Sequence, residues 1–93
     1  MASESSITIS ILKYLKGLDG CKAEKRHGSA YSVRGAPDIR GCYNSQAFDI
    51  EVKKPGGVVS HAQKKELAGW QAAGSRVLVA YNLQEVKDFI QSL

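Results

Sequence analysis

Residues 36–57, A-P-D-I-R-G-C-Y-N-S-Q-A-F-D-I-E-V-K-K-P-G-G, constrain the chain more than any other stretch. They read as two short strands joined by a polar turn at Tyr43, Asn44, Ser45 and Gln46, with Asp38 near the start of the first strand and Glu51, Val52 and Lys53 near the end of the second. A hairpin doubles back, so Asp38 and Glu51 are expected side by side despite their separation in sequence. Side chains alternate across a strand, which puts Glu51 and Lys53 on one face and Ile50 and Val52 on the other. Two acids and a lysine then converge at one sheet edge while the aliphatics pack beneath them. Such a cluster suits a divalent metal held beside a phosphate.

The 93 residues are expected to form one domain, 1–93, with a single modest core. At 43% hydrophobic and 24% charged residues, the balance is that of an ordinary soluble globular protein. No apolar run approaches a membrane span, and the opening M-A-S-E-S-S lacks the basic and apolar regions of a signal peptide, so an intracellular, cytoplasmic protein without a membrane partner is expected. Cys21 and Cys42 sit in predicted strands and form no C-x-x-C pair; buried free thiols are expected rather than a disulfide or a zinc site.

The formal charge of +4 suits a polyanionic partner. Its placement is more informative. Lys22, Lys25, Arg26, His27, Arg34 and Arg40 crowd the approach to the hairpin, and Lys53, Lys54, Lys64 and Lys65 follow it. A basic border around an acidic centre is what phosphates and a metal would both require.

From Ser3 the run Ile7-Thr8-Ile9-Ser10-Ile11 alternates like a strand, but the longer pattern Ile7, Ile11, Leu15, Leu18 predicts a helix capped by Ser3 and ended by Gly17 and Gly20. Glu4 shares its inward face, where it either complements the helix dipole or reaches the acidic centre. A short strand over 21–26 and a flexible loop over 27–35 follow, the loop able to close over a nucleic-acid backbone. His27 reads as a phosphate contact or a plain loop residue rather than a metal ligand, because no second histidine is spaced to join it. Ser60 and Gln63 have capping-box spacing at the start of a helix running to about Ala73. Leu67 and Trp70 continue the Gln63 face and are expected in the core, although Trp70 has the chemistry to stack on a base. Gly74 is a candidate helix stop. Residues 76–81 form the strongest strand, apolar without alternation as in a strand covered on both faces. Asn82 and Glu85 cap a last helix with Val86, Phe89, Ile90 and Leu93 on one face. The predicted order is αβββαβα: an α/β domain with a small mixed β-sheet flanked by helices.

This ordered set resembles the PD-(D/E)-x-K nuclease superfamily and, more closely, its virus-type replication-repair nuclease (VRR-NUC) domain. Pro37-Asp38 supplies the first part of the motif and Glu51-Val52-Lys53 the second. Glu4 in the first helix, Gly35 before the P-D, the run E-V-K-K-P-G-G, and Ser60 with Gln63 in the next helix support the match, which reaches from Glu4 to the last helix. The chain also contains an E-x-K that serves as a control. Glu85-Val86-Lys87 falls in a predicted helix, where residues two apart share no face.

The resemblance implies a restriction-endonuclease-like core and a metal-dependent DNA endonuclease of replication, recombination or repair, selective for branched or junction DNA, in a phage or bacterial host cell. It implies Mg²⁺ or Mn²⁺ held by Asp38, Glu51 and the backbone carbonyl of Val52, with Glu4 acting through water or on a second ion. Lys53 partners the attacking water and the scissile phosphate, as base or as fixed charge, and Gln63 faces the site. Lys25, Arg26, His27, Arg34 and Lys54 are the candidate DNA contacts. One small domain offers one site, so cutting two strands calls for a two-fold homodimer.

Other readings of the same residues are a surface salt bridge between Lys53 and Glu51 or Asp38, a catalytically inactive nuclease-like module that only binds DNA, and a glycosidase with Asp38 and Glu51 as acid and base. The last lacks an aromatic sugar platform and leaves Lys53 without a role.

Overall fold

The computed structural model describes residues 2–27 and 33–93. Its elements run α1 (Glu4–Lys16), β1 (Cys21–Lys25), β2 (Ile39–Tyr43), β3 (Gln46–Val52), α2 (His61–Ala72), β4 (Arg76–Ala80) and α3 (Leu83–Gln91), the order expected from the sequence. The strands form one mixed sheet in the order β1-β2-β3-β4, antiparallel except for the parallel pair β3 and β4. That parallel pair requires a crossover, which α2 provides.

The ambiguous opening is a helix. Ile7, Ile11 and Leu15 are buried while Ile9 is 67% exposed, the outcome of a 3.6-residue period and not of alternation. Ser3 caps it: its Oγ accepts the Ser6 N–H at 3.1 Å, and Ser6 Oγ accepts the Ser3 N–H at 3.1 Å. Gly17 is the C-cap. The hairpin turns on Asn44 and Ser45 at φ 46° and 73°, the two left-handed residues of a tight two-residue loop.

Alternate residues of β3 define the two layers. Phe48, Ile50 and Val52 join Ile7, Ile11 and Leu15 of α1 and Val86 and Ile90 of α3 in the core. Asp49 and Glu51 face the other way, toward α2. Both faces of β3 are therefore covered, and Asp49 and Glu51 are buried at 0% and 2% exposure. Glu51 thus sits on an interior strand, not at a sheet edge as expected, because β4 pairs with β3 on its outer side.

Four further expectations change. Trp70 is half-buried and outside the core cluster, with charged neighbours. Cys42 is exposed and Cys21 half-buried, since both lie toward the outer β1–β2 end of the sheet. Residues 77–79 of β4 are only half-buried although helices lie on both faces, because β4 is an edge strand. The C-cap of α2 is Ala73, with Gly74 following at φ 108°. The predicted loop over 27–35 is described only at its ends, and Gly28 to Ser32 lie outside the described residues. Among the described residues, no helix is long and apolar enough to cross a membrane.

Candidate active site

The β2–β3 register pairs Ile39 with Ile50, which brings Asp38 opposite Glu51 one step further along. Two bonds fix Asp38. Its Oδ2 accepts the Val52 N–H at 2.8 Å, and its carbonyl accepts the Arg26 N–H at 2.8 Å. Pro37, fully buried just before it, anchors the entry to β2. Beyond β3 the Lys53 N–H continues to the Ala80 carbonyl at 2.9 Å, so the strand end that carries Glu51 and Lys53 is tied to both neighbours.

Around the Glu51 carboxylate the partners are uneven. Oε2 accepts from Gln63 Nε2 at 2.9 Å and lies 3.8 Å from Lys53 Nζ. Oε1 is buried with no hydrogen-bond partner among the described residues. Burial pushes the Glu51 carboxyl up to about 8, helped by the Asp38 charge and by a hydrogen bond to Asp38 that only a protonated Glu51 can donate; Lys53 pulls it down, and Glu4 adds a smaller push upward. With both acids ionised, neither has a proton to share and the two carboxylates repel.

Such a pair is incomplete by itself. Its oxygens are hard donors, the kind that Mg²⁺ and Mn²⁺ take, and a cation would satisfy the orphaned oxygen and neutralise the repulsion at once. The residues present therefore fit a divalent ion. Glu4 is exposed at the first turn of α1, near enough to act on Glu51 through space. It does not close a triad: among the described residues no three His, Cys, Asp or Glu side chains gather.

Gln63 fills both roles that its position allows. The Gln63 N–H reaches Ser60 Oγ at 3.1 Å, and its Oε1 accepts the Ser60 N–H at 2.9 Å, leaving Nε2 for Glu51. Ahead of Asp38, Gly35 stands at φ 84°, and a Cβ there would meet the Ala62 backbone at 2.6 Å and the Gln63 nitrogen at 2.9 Å. Only glycine lets this segment lie on the first turn of α2.

A buried network next to the site was not expected from the sequence. Asp49 accepts from Ser75 Oγ at 2.7 Å and from Arg26 at 3.2 Å, the latter an ion pair. The signal was present as charges at every second position, Asp49, Glu51 and Lys53, on one strand face. Of the candidate DNA contacts, Lys25, Arg26 and His27 line a groove of about 950 Å³ that reaches Asp38. Arg34 and Lys54 are exposed on the flanking segments and do not line it. The control Glu85 and Lys87 lie on α3, where Glu85 accepts the Tyr81 N–H at 2.7 Å as part of the helix cap.

No family model matches the chain, and no curated protein matches it. A solved structure described as a VRR_NUC domain protein superposes with a TM-score of 0.74 over 97% of this chain and 86% of the other, at 20% identity. The chain thus has the fold of that VRR_NUC domain protein, the fold that the resemblance in its motifs implies.

Proposed function

We propose that the chain is a Mg²⁺- or Mn²⁺-dependent endonuclease that hydrolyses phosphodiester bonds in DNA, with branched or junction DNA as substrate in replication, recombination or repair. The observation that carries this reading is the buried, partnerless Oε1 of Glu51 beside Asp38, with the Lys53 ammonium on the same strand face. Asp38, Glu51 and the Val52 carbonyl would hold the ion. When bound, it supplies an activated water and offsets charge on the phosphoryl and leaving oxygens.

The chain's own groups do the rest. Gln63 fixes the Glu51 carboxylate through Oε2 and leaves Oε1 without a hydrogen-bond partner among the described residues. Lys53, with its side chain only 12% exposed, carries a positive charge at the strand end where the scissile phosphate would lie. There it orients the attacking water and offsets the charge that grows on phosphorus oxygens. The basic border draws the sugar-phosphate backbone toward the acids. Two copies related by a two-fold axis would set two sites on antiparallel strands.

The test is a cleavage panel of four-way junction, flap, duplex and single-stranded DNA with EDTA, Mg²⁺ or Mn²⁺, run with wild type, Lys53→Ala and the Glu85→Ala/Lys87→Ala control. Metal-dependent cutting that Lys53→Ala abolishes and the control retains is expected. Binding without cutting under every condition would leave a DNA-binding module in place of an enzyme.

A further inference from the structure

Among the described residues, α2 packs on β3 and β4 and no helix covers the same face of β1 and β2. The open face is the groove that ends at Asp38. Small residues, Gly41, Cys42 and Ala47, floor it, Lys22 and Glu24 stand on its β1 side by register, and Glu66 lies on its α2 side. Its α2 wall is Trp70, with the Arg40 guanidinium 4.1 Å from the ring centroid and that of Arg26 at 5.1 Å.

This arrangement differs from core packing. Among the described residues, Trp70 belongs to no buried apolar cluster, and the guanidiniums of Arg26 and Arg40 are laid against it. Arg26 is held in place from behind by buried Asp49, so it is positioned before any ligand arrives. Indole and guanidinium planes in layers are the surfaces on which nucleobases stack. The volume of about 950 Å³ also falls within the range of small-ligand sites.

We infer that this groove binds an unpaired nucleotide, its base stacked on the Arg40–Trp70 layer and its phosphate toward Lys22. A paired base is already stacked inside its duplex and offers no face to the wall. The substrate is then a strand with at least one unpaired nucleotide on the Asp38 side of the cut: a flap, a frayed end, a junction arm or a single strand. Only the position of the cut rests on the nuclease reading, and the binding does not depend on it.

Trp70 is the only tryptophan of the chain, so its emission reports the groove directly. The full chain is titrated in EDTA with three oligonucleotides carrying equal numbers of phosphates: single-stranded oligothymidylate, the same backbone without bases, and a blunt hairpin duplex whose loop is a non-nucleotide linker. Oligothymidylate should quench Trp70 and bind at least about fivefold more tightly than the abasic strand, the lower end of what stacking one base contributes. The hairpin should quench weakly. By anisotropy of labelled strands, Trp70→Leu and Arg40→Gln should erase the preference for bases and Trp70→Phe should keep most of it, each variant checked for folding by its melt. Arg40→Gln leaves the helix residue in place and keeps the test valid where Trp70→Leu fails to fold. Equal affinity for abasic and base-bearing strands, unchanged Trp70 emission on binding, or equal quenching by the hairpin would overturn the inference. Cutting in Mn²⁺ without base preference would sink this inference alone, and base preference without cutting would sink only the nuclease reading.

Discussion

Gln63 holds Glu51 by a 2.9 Å bond from its Nε2 while its Oε1 caps the same helix that carries it, so helix α2 begins at the acidic centre. Local capping and the site are the same side chain. Gln63→Ala should destabilise the fold by about 1–2 kcal/mol, the loss of a cap and of a bond to a buried carboxylate. Gln63→Glu can still cap but places a third acid against Glu51. Thermal melts should show it less stable than wild type in EDTA, with a larger recovery when Mn²⁺ is added.

Stability of the metal-free protein should depend on pH in an unusual direction. The Glu51 carboxyl rises from its ordinary 4.5 to about 8 in the fold, so the folded state binds more protons than the unfolded state between those values. The contribution of Glu51 is then fully present below about 4.5 and falls as pH rises toward 8, with a limiting slope of about 1.4 kcal/mol per pH unit. Urea melts in EDTA from pH 5 to 8 measure it. Divalent metal should flatten the decline by stabilising the ionised pair.

Gly35 meets the α2 backbone so closely that a methyl group has nowhere to go. Gly35→Ala adds that clash to a left-handed backbone cost of about 1–2 kcal/mol. A lowered melting point together with weakened cleavage is expected, because the displaced segment leads directly into Pro37 and Asp38. A variant with normal stability and normal activity would show that this contact does not position the site.

Asp49 ties Arg26, just after one edge strand, and Ser75, just before the other, to the strand that carries Glu51. Ser75→Ala should cost about 1 kcal/mol, and Asp49→Ala more, since the buried hydroxyl and the guanidinium both lose their acceptor. Chemical denaturation gives both values.

Most of the fold was legible because its signals are local. The period of Ile7, Ile11 and Leu15, the Ser60–Gln63 spacing and the Asn44–Ser45 turn each fix an element without help from distant residues. The pairing of Asp38 with Glu51 was legible too, since a tight hairpin leaves one register. Burial was harder to read. Whether Glu51 lies at an edge or inside depends on β4 pairing with β3, a contact made through a crossover that the hairpin sequence does not encode. Trp70 was misread for a related reason: its helical spacing from Leu67 is that of a core face, but α2 ends over β3 and β4 and leaves the indole at the border of the open sheet. The role of Asp49 was not legible, because its partners Arg26 and Ser75 come from distant parts of the chain.

The central claim is that Asp38 and Glu51 form a metal site whose charges repel when it is empty. Asn at 38 can still accept the Val52 N–H with its carbonyl and donate its amide to Glu51, so Asp38→Asn removes a charge and keeps the bonds. Melting temperatures of wild type and Asp38→Asn above pH 8, where the Glu51 carboxyl of the empty site is ionised, measure the difference in EDTA and in Mn²⁺. The predicted result is a variant that melts no lower than wild type in EDTA and gains far less from Mn²⁺. A variant clearly less stable than wild type in EDTA, with the same response to Mn²⁺ in both proteins, would contradict it and leave Asp38 as a structural acid.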